Sequence, residues 1–309
     1  MTLHRVQILD CHVGGEPVRV IVGGGPDLAS GPLLARQARF KTTAGHFRRT
    51  LTSEPRGSSL LNCAMLCAPH DPTCQIGALF FDADGQAAHP GHGAIGLIAA
   101  LAHRGDVKPG RHRIDTPGGV VEATLEAGGA VTFHDEPARR RLKDVLVDVP
   151  GLGSIQADLA WGGEWVFLTE SRPGPLAYAH LDSLRRDAAA IRAALIDQGV
   201  PEADGAQIAL LSPAPGVERR CLSVRANGGF ARSPGVACAS AQIARLAADG
   251  ALAESESWRL QSLVGGLFEL SYRVDGEKIL PRVTARPRVY AETNLILDPE
   301  DPFCWGYPV

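Results

Sequence analysis

The sequence has no excess of positive charge: 31 Lys and Arg face 34 Asp and Glu, and the longest basic run is Arg139-Arg140-Arg141. A nucleic-acid partner needs a basic footprint, so that class is set aside. The chain also lacks any apolar run approaching the roughly 20 residues that cross a bilayer. Its opening residues, MTLHRVQILD, read as a strand rather than a secretory signal. A cytoplasmic protein with no membrane partner is expected. Cysteine is scarce and odd in number, seven residues scattered from Cys11 to Cys304, which excludes a paired disulfide framework and fits reduced thiols. Four of the soft ligand types do fall close together, Cys63, Cys67, His70 and Cys74. Structural zinc sites show tight cysteine pairs at both ends, and here the surroundings (LLNCAMLCAP) are those of small buried hydrophobes. No metal is expected.

What is present is 45% hydrophobic residues over 309 positions, enough for two ordinary domains. Many short β-like stretches, among them RVQILDCHV, VRVIVGG, CQIGALFFDADG and LFELSYRVDGEKI, alternate with Gly, Pro and Asp turns and predict a mostly antiparallel sheet content. Three helices stand out. SLRRDAAAIRAALIDQG is amphipathic and reads as an outer helix, whereas HGAIGLIAALAHRG and ACASAQIARLAADG are apolar nearly all round and read as helices threaded through a sheet-walled interior.

The two apolar helices start alike, HPGHGAIGLIAAL at 89–101 and SPGVACASAQIARL at 233–246, about half the chain apart, which predicts a duplicated α/β unit. A helix start carries unpaired backbone N–H groups and a positive dipole end, so each is suited to an anion such as a carboxylate. The first start contains G-x-G-x-x-G (Gly91, Gly93, Gly96), with Asp115 at about the distance of a ribose-binding acid. That fingerprint calls for parallel βαβ units in series, and hairpin-like pairs surround it here. A nucleotide-binding oxidoreductase is therefore the weakest of the functional readings.

Six blocks in order, DCHVGGEPVRVIVGG (10–24), EPRG (54–57), HPGHGAIGL (89–97), WGGEWVFL (161–168), GGFARSPGVACASA (228–241) and LDPEDPFCWGY (297–307), resemble the proline racemase family across essentially the whole chain. That family includes hydroxyproline 2-epimerases and trans-3-hydroxyproline dehydratases. The resemblance implies an α/β (α+β), diaminopimelate-epimerase-like fold: two pseudo-symmetric lobes, each a curved, mostly antiparallel sheet around a central helix. The expected boundaries are 1–119 plus 286–309 for the N-terminal lobe and 120–285 for the C-terminal lobe, with the ligand between lobes. It implies cofactor-independent proton transfer at a substrate α-carbon, one acid/base coming from each lobe. These are usually two cysteines, or serine and cysteine, with cysteine and threonine in the dehydratases. A helix N-terminus and a partly dry pocket poise such thiols near neutral pH.

The sequence departs from the pattern at both acid/base positions. Where the family has a Met-Cys-Gly-His-Gly block, this sequence reads Ala88-His89-Pro90-Gly91-His92-Gly93, with Pro90 at the first position, and its Asp-Arg-Ser-Pro-Cys block has Gly235 at the second. The Asp that helps bind the substrate amine is Ala231. Candidate replacement acid/bases are His89, His92 and Cys238. Expected substrate-binding positions are Gly91 and Gly93 in one lobe and Gly235, Val236 and Ala237 in the other, with Asp158 and Trp161 from a cleft-lining block. Glu16 is expected to pair with Arg19 or Arg56, and Asp301-Pro302-Phe303 to form a capped turn on the first lobe. The leading function is a proline racemase-like isomerase, epimerase or racemase, or a hydro-lyase, acting on a proline- or hydroxyproline-like amino acid with substituted acid/bases. The alternative is a catalytically silent relative that binds a small carboxylate; a homodimer is a candidate assembly.

Overall fold

Alternating and fully apolar stretches become strands, and the Gly- and Pro-punctuated segments between them become turns, in a computed structural model that describes residues 3–85, 87, 89–172 and 174–307. The chain divides into two units, 1–133 with 286–309, and 134–285. The first unit runs β1 (His4–Val13), β2 (Glu16–Gly23), α1 (Leu33–Thr43), α2 (Gly45–Thr52), β3 (Asn62–Cys67), β4 (Ile76–Phe81), α3 (Gly91–Arg104), β5 (Gly110–Thr116), β6 (Gly119–Leu125) and β7 (Val131–His134). The second runs β8 (Arg139–Val149), β9 (Gly153–Trp161), β10 (Trp165–Thr169), α4 (Leu181–Asp197), β11 (Gln207–Ala214), β12 (Val217–Val224), α5 (Val236–Ala248), β13 (Trp258–Ser262), β14 (Leu267–Asp275) and β15 (Lys278–Ala285). A last strand, β16 (Arg288–Leu297), pairs antiparallel with β1.

The two units repeat one connectivity. In the first, β1 and β2 are antiparallel, β2 crosses over through α1 and α2 to a parallel β3, β4 returns antiparallel, and α3 carries the chain to a parallel β5. In the second, β9 and β10 are antiparallel, α4 leads to a parallel β11, β12 returns, and α5 leads to a parallel β13. Antiparallel pairs predominate, as the turn-rich sequence predicted, and each parallel pair is made by a helical crossover, which is the connection parallel strands require. Residues 120–133 differ from expectation. They were assigned to the second lobe, but Gly119 closes a tight turn that folds β6 back on β5 (Ile114 opposite Val121), which holds them in the first unit.

Both faces of the sheet are covered at β4, which is buried at every position from Ile76 to Phe81 rather than alternating. Val18 and Cys11 face α3, where Gly96 lets the helix approach so closely that a Cβ there would sit 2.6 Å from Val18 Cγ1 and 3.1 Å from Cys11 Sγ. Phe40, Phe47 and Leu51 of α1 and α2 join Val6, Ile8 and Ile21 in a core on the other face. These helices bury only a few large residues among charged ones, which is why sequence periodicity did not reveal them. In the second unit α4 buries Leu184, Ala188, Ile191 and Leu195, one stripe at helical spacing, in a core with Ile155, Phe167 and Leu222. The outer amphipathic helix is where it was expected.

Candidate active-site elements

At the head of α3, β4 ends at Phe81 and a short turn brings the chain to His89 and Pro90, the latter capping the helix with φ −77° and ψ −9°. Gln86 and Ala88, in the same block, lie outside the described residues. The Gly91 N–H donates to His89 Nδ1 at 3.1 Å. A ring nitrogen that accepts a backbone hydrogen bond carries no proton, so this contact assigns the hydrogen of the neutral ring to Nε2. The ring also stands edge-on to Phe133, centroids 5.8 Å apart. His92 is half-buried in the first turn. Gly91 and Gly93 are buried, and Gly93 has a packing reason: a Cβ there would lie 2.3 Å from Phe80 Cδ1. The glycines at 93 and 96 thus serve helix–sheet contact. Asp115 is also committed locally, since its Oδ2 accepts from the backbone N–H groups of His70 and Asp71 at 2.6 and 2.9 Å.

The head of α5 is more rigid. Ser233 Oγ accepts from the Gly235 N–H at 3.0 Å, and the Gly235 carbonyl accepts from Ala239 N at 2.9 Å. Gly235 itself has φ +82° and ψ 125°, a region that residues with a Cβ rarely enter. Val236, Ala237 and Cys238 are buried. Cys238 is fully inaccessible, and Cys221 on β12 donates its Sγ–H to the Pro234 carbonyl at 3.7 Å. The hydrogen bond with Cys238, reinforced by burial, holds the Cys221 thiol well above the ordinary range. The structure therefore places Cys238 in the first turn of α5, closed to solvent.

The block at 158–165 packs against this helix. A Cβ on Gly162 would lie 2.3 Å from the Ala237 carbonyl oxygen and 2.4 Å from Ala241 N, so only glycine fits. Trp161 is half-buried, set edge-on to Trp165 at 5.1 Å, with the Arg139 guanidinium 5.5 Å from its ring centre. Asp158 is buried and engaged by Arg140 Nη1 at 3.4 Å and by the Asp144 N–H at 2.8 Å. Sequence reasoning missed a hydrogen-bonded chain nearby. Gln207 Nε2 donates to Glu164, and Ser223 Oγ, on buried β12, donates to Gln207 Oε1 at 2.5 Å. Ser223 lies beside Gly235, its Cβ 4.0 Å from where a Gly235 Cβ would be. Glu164 stands inside the WGGEW block and was the available signal; Ser223 and Gln207 carry none.

Arg19, expected as a partner for Glu16, is engaged by Asp10. Arg19 sits directly opposite Asp10 across β1 and β2 and binds it through both Nε and Nη2, at 2.9 and 2.8 Å. Glu16 accepts from Asn62 Nδ2 at 3.4 Å. Arg56 binds Asp301 at 2.5 Å and the carbonyls of Ile296 and Phe303, so the expected C-terminal turn is fastened to the first unit. Among the described residues, no three His, Cys, Asp or Glu side chains gather as metal ligands, and no helix is long and apolar enough to cross a membrane.

The duplicated strand–helix–strand unit with an apolar helix on each sheet defines the diaminopimelate-epimerase-like class of α/β folds. A crystal structure of a hydroxyproline epimerase from Agrobacterium vitis with bound trans-4-hydroxy-L-proline superimposes with a TM-score of 0.82, covering 99% of this chain and 95% of that one at 22% identity. A probable proline racemase from Agrobacterium radiobacter with bound carbonate gives 0.81, at 25% identity over 98% and 96%. In sequence, the 4-hydroxyproline 2-epimerase of Pseudomonas aeruginosa is 41% identical over 311 residues, covering 98% of this chain and 99% of that protein. The proline racemase family model matches residues 8–308, and the chain belongs to that family.

Proposed function

We propose that this protein is a proline racemase-like enzyme acting at the α-carbon of a small cyclic amino acid of the 4-hydroxyproline type, with a histidine in place of the usual thiol on the α3 side. Support for the substrate class is the 41% identity to a 4-hydroxyproline 2-epimerase over nearly the full length. The observation that carries the acid/base reading is His89 Nδ1 held by the Gly91 N–H at 3.1 Å. This contact puts the neutral ring's hydrogen on Nε2, so in this tautomer the ring can deliver a proton from Nε2, and removing the α-proton there requires the other tautomer, with Nδ1–H released from the Gly91 N–H. His92, one turn residue further, is the second candidate. The backbone N–H groups of the first turn of α3, that of Gly93 among them, are assigned to the substrate carboxylate.

On the α5 side this reading has no equivalent acid/base. Gly235 has no side chain, and Cys238 is fully buried. Proton removal and return are then expected from one face, so exchange of the α-proton should outrun inversion, and elimination from a 3-hydroxylated substrate, which needs one base, stays within reach. The same two facts favour the second reading, a relative that binds the small carboxylate without turnover. Proton NMR with trans-4-hydroxy-L-proline in heavy water separates them. Loss of the α-proton signal, abolished in His89→Gln, supports the enzyme. Thermal stabilisation by pyrrole-2-carboxylate with no exchange at high protein concentration supports the silent binder and overturns the first reading.

A further inference from the structure

A cavity of about 300 Å³ opens in the first unit, away from the head of α3. It is lined by the Gly23–Ala29 loop after β2, by Arg36 of α1, and by Met65 to Ala68 at the end of β3. The strand register places it: Cys63 pairs with Phe81, where β4 leads toward α3, while Cys67 pairs with Gly77 at the opposite end of β4. Four residues of extended chain separate the two ends, roughly 13 Å.

Arg36 is the unusual wall of this cavity. It is only 8% exposed, yet among the described residues no carboxylate lies within ion-pair distance of it. Its one side-chain hydrogen bond runs from Nη1 to the Ala68 carbonyl at 2.7 Å, and its Nε is buried without a partner. Asp27 shares the lining but spends one oxygen on the Ala29 N–H and does not pair with the arginine. A guanidinium always carries its charge, and an enclosed charge with unused donors is unfavourable until an anion meets it. The glycine loop is shaped to one conformation: Gly24 has φ +72°, and a Cβ on it would lie 2.0 Å from the Arg5 carbonyl oxygen.

We infer that this cavity is a binding site for a compact oxyanion, a small carboxylate or a phosphate, held by Arg36 and distinct from the α3 and α5 helix starts. The planar fork of arginine donors matches either group. The structure also supplies a reporter. Cys67 lines the cavity and is half-buried, whereas the other six cysteines are buried. Alkylation of the native protein by iodoacetamide should therefore fall on Cys67.

The test follows Cys67 alkylation by mass spectrometry in constant ionic strength, with acetate, pyruvate, succinate or inorganic phosphate replacing chloride. An occupying anion at about ten times its dissociation constant should slow labelling about tenfold, and the arm that protects names the source, carboxylate or phosphate. Arg36→Met should abolish protection, and Arg36→Lys should retain part of it. Because Arg36 also ties down Ala68, wild-type protein alkylated at Cys67 provides a second measurement that needs no variant to fold: it should lose the anion-induced rise in melting temperature. Labelling unchanged by every anion, protection equal to that given by chloride, or full protection in Arg36→Met would overturn the assignment. None of these readouts depends on proton transfer, so they stand apart from the activity proposed above.

Discussion

The carbonyl oxygen of Ala237 lies 2.3 Å from the point a Cβ on Gly162 would occupy, so the turn after β9 and the first turn of α5 fit only because residue 162 has no side chain. Backbone on both sides of this contact leaves nothing flexible to yield. Gly162→Ala should lower unfolding stability by about 1–3 kcal/mol, the usual cost of overpacking. Urea unfolding of the purified variant measures it. A loss below a few tenths of that range would mean that the turn slides along the helix at little cost.

Pro90 and Gly235, which the family resemblance sets at the two acid/base positions, should respond unequally to substitution by cysteine. Pro90 has helical dihedrals open to any residue, so Pro90→Cys should cost no more than about 1 kcal/mol, chiefly through the freer unfolded chain. Gly235 has room for a Cβ, the nearest atom being Cys238 Cβ at 3.4 Å, but not the conformation, since φ is +82°. Gly235→Cys should therefore cost about 1–3 kcal/mol in backbone strain unless the segment relaxes. If a thiol from each lobe is what the chemistry needs, Pro90→Cys/Gly235→Cys should gain epimerisation of 4-hydroxyproline that neither single variant shows. Equal stability of the two single variants would contradict the strain argument.

Much of this architecture is written locally. The apolar runs of α3 and α5, their Pro-Gly starts and the turn-punctuated strands are short-range patterns, and each became the element it predicted. The helices α1 and α2 were not legible, because Phe40, Phe47 and Leu51 acquire their meaning only against a sheet formed by distant strands. The Arg19–Asp10 pair was hidden for the same reason. Glu16 and Arg19 are three residues apart in sequence, but the β1–β2 register sets Arg19 opposite Asp10 instead. At the site, glycines that suggested a phosphate cradle are explained by Phe80 and Val18, residues whose proximity no spacing rule encodes. The burial of Cys238 likewise depends on how α5 packs on distant strands.

The buried Asp10–Arg19 pair should be sensitive to loss of one partner. Both side chains are about a tenth exposed, and Arg19 also donates to the Arg56 carbonyl at 2.7 Å, tying the sheet to the segment after α2. Arg19→Met strands the Asp10 carboxylate and should cost about 3–5 kcal/mol. Asp10→Leu/Arg19→Met removes the stranded charge and should recover part of that loss, since replacing both members of a buried pair is often near neutral. Chemical denaturation of the three proteins gives the comparison. A double variant no more stable than Arg19→Met would show that the bonds to the Arg56 and Leu51 carbonyls, rather than the ion pair, hold this region.

Alkaline pH should weaken the fold through Cys11. This thiol is fully buried between β1 and α3, and burial, with the neighbouring Asp10 carboxylate adding to it, pushes its pKa up to about 12. In the unfolded chain a cysteine titrates near 8.5. As pH rises, the unfolded state releases this proton first, so the stabilisation is complete below about pH 8.5 and is lost progressively toward pH 12. One such group contributes a slope of about 1.4 kcal/mol per pH unit within that window. Cys63 and Cys221, also held up by their surroundings, act in the same direction. Urea unfolding at a series of pH values should show stability falling above about pH 8.5, with a shallower fall in Cys11→Ala, whose lower starting stability reflects the small cavity and not the titration. The difference in slope isolates Cys11, because every other titrating group is common to both proteins. Parallel pH profiles would mean that the Cys11 thiol ionises within the folded protein as easily as in water.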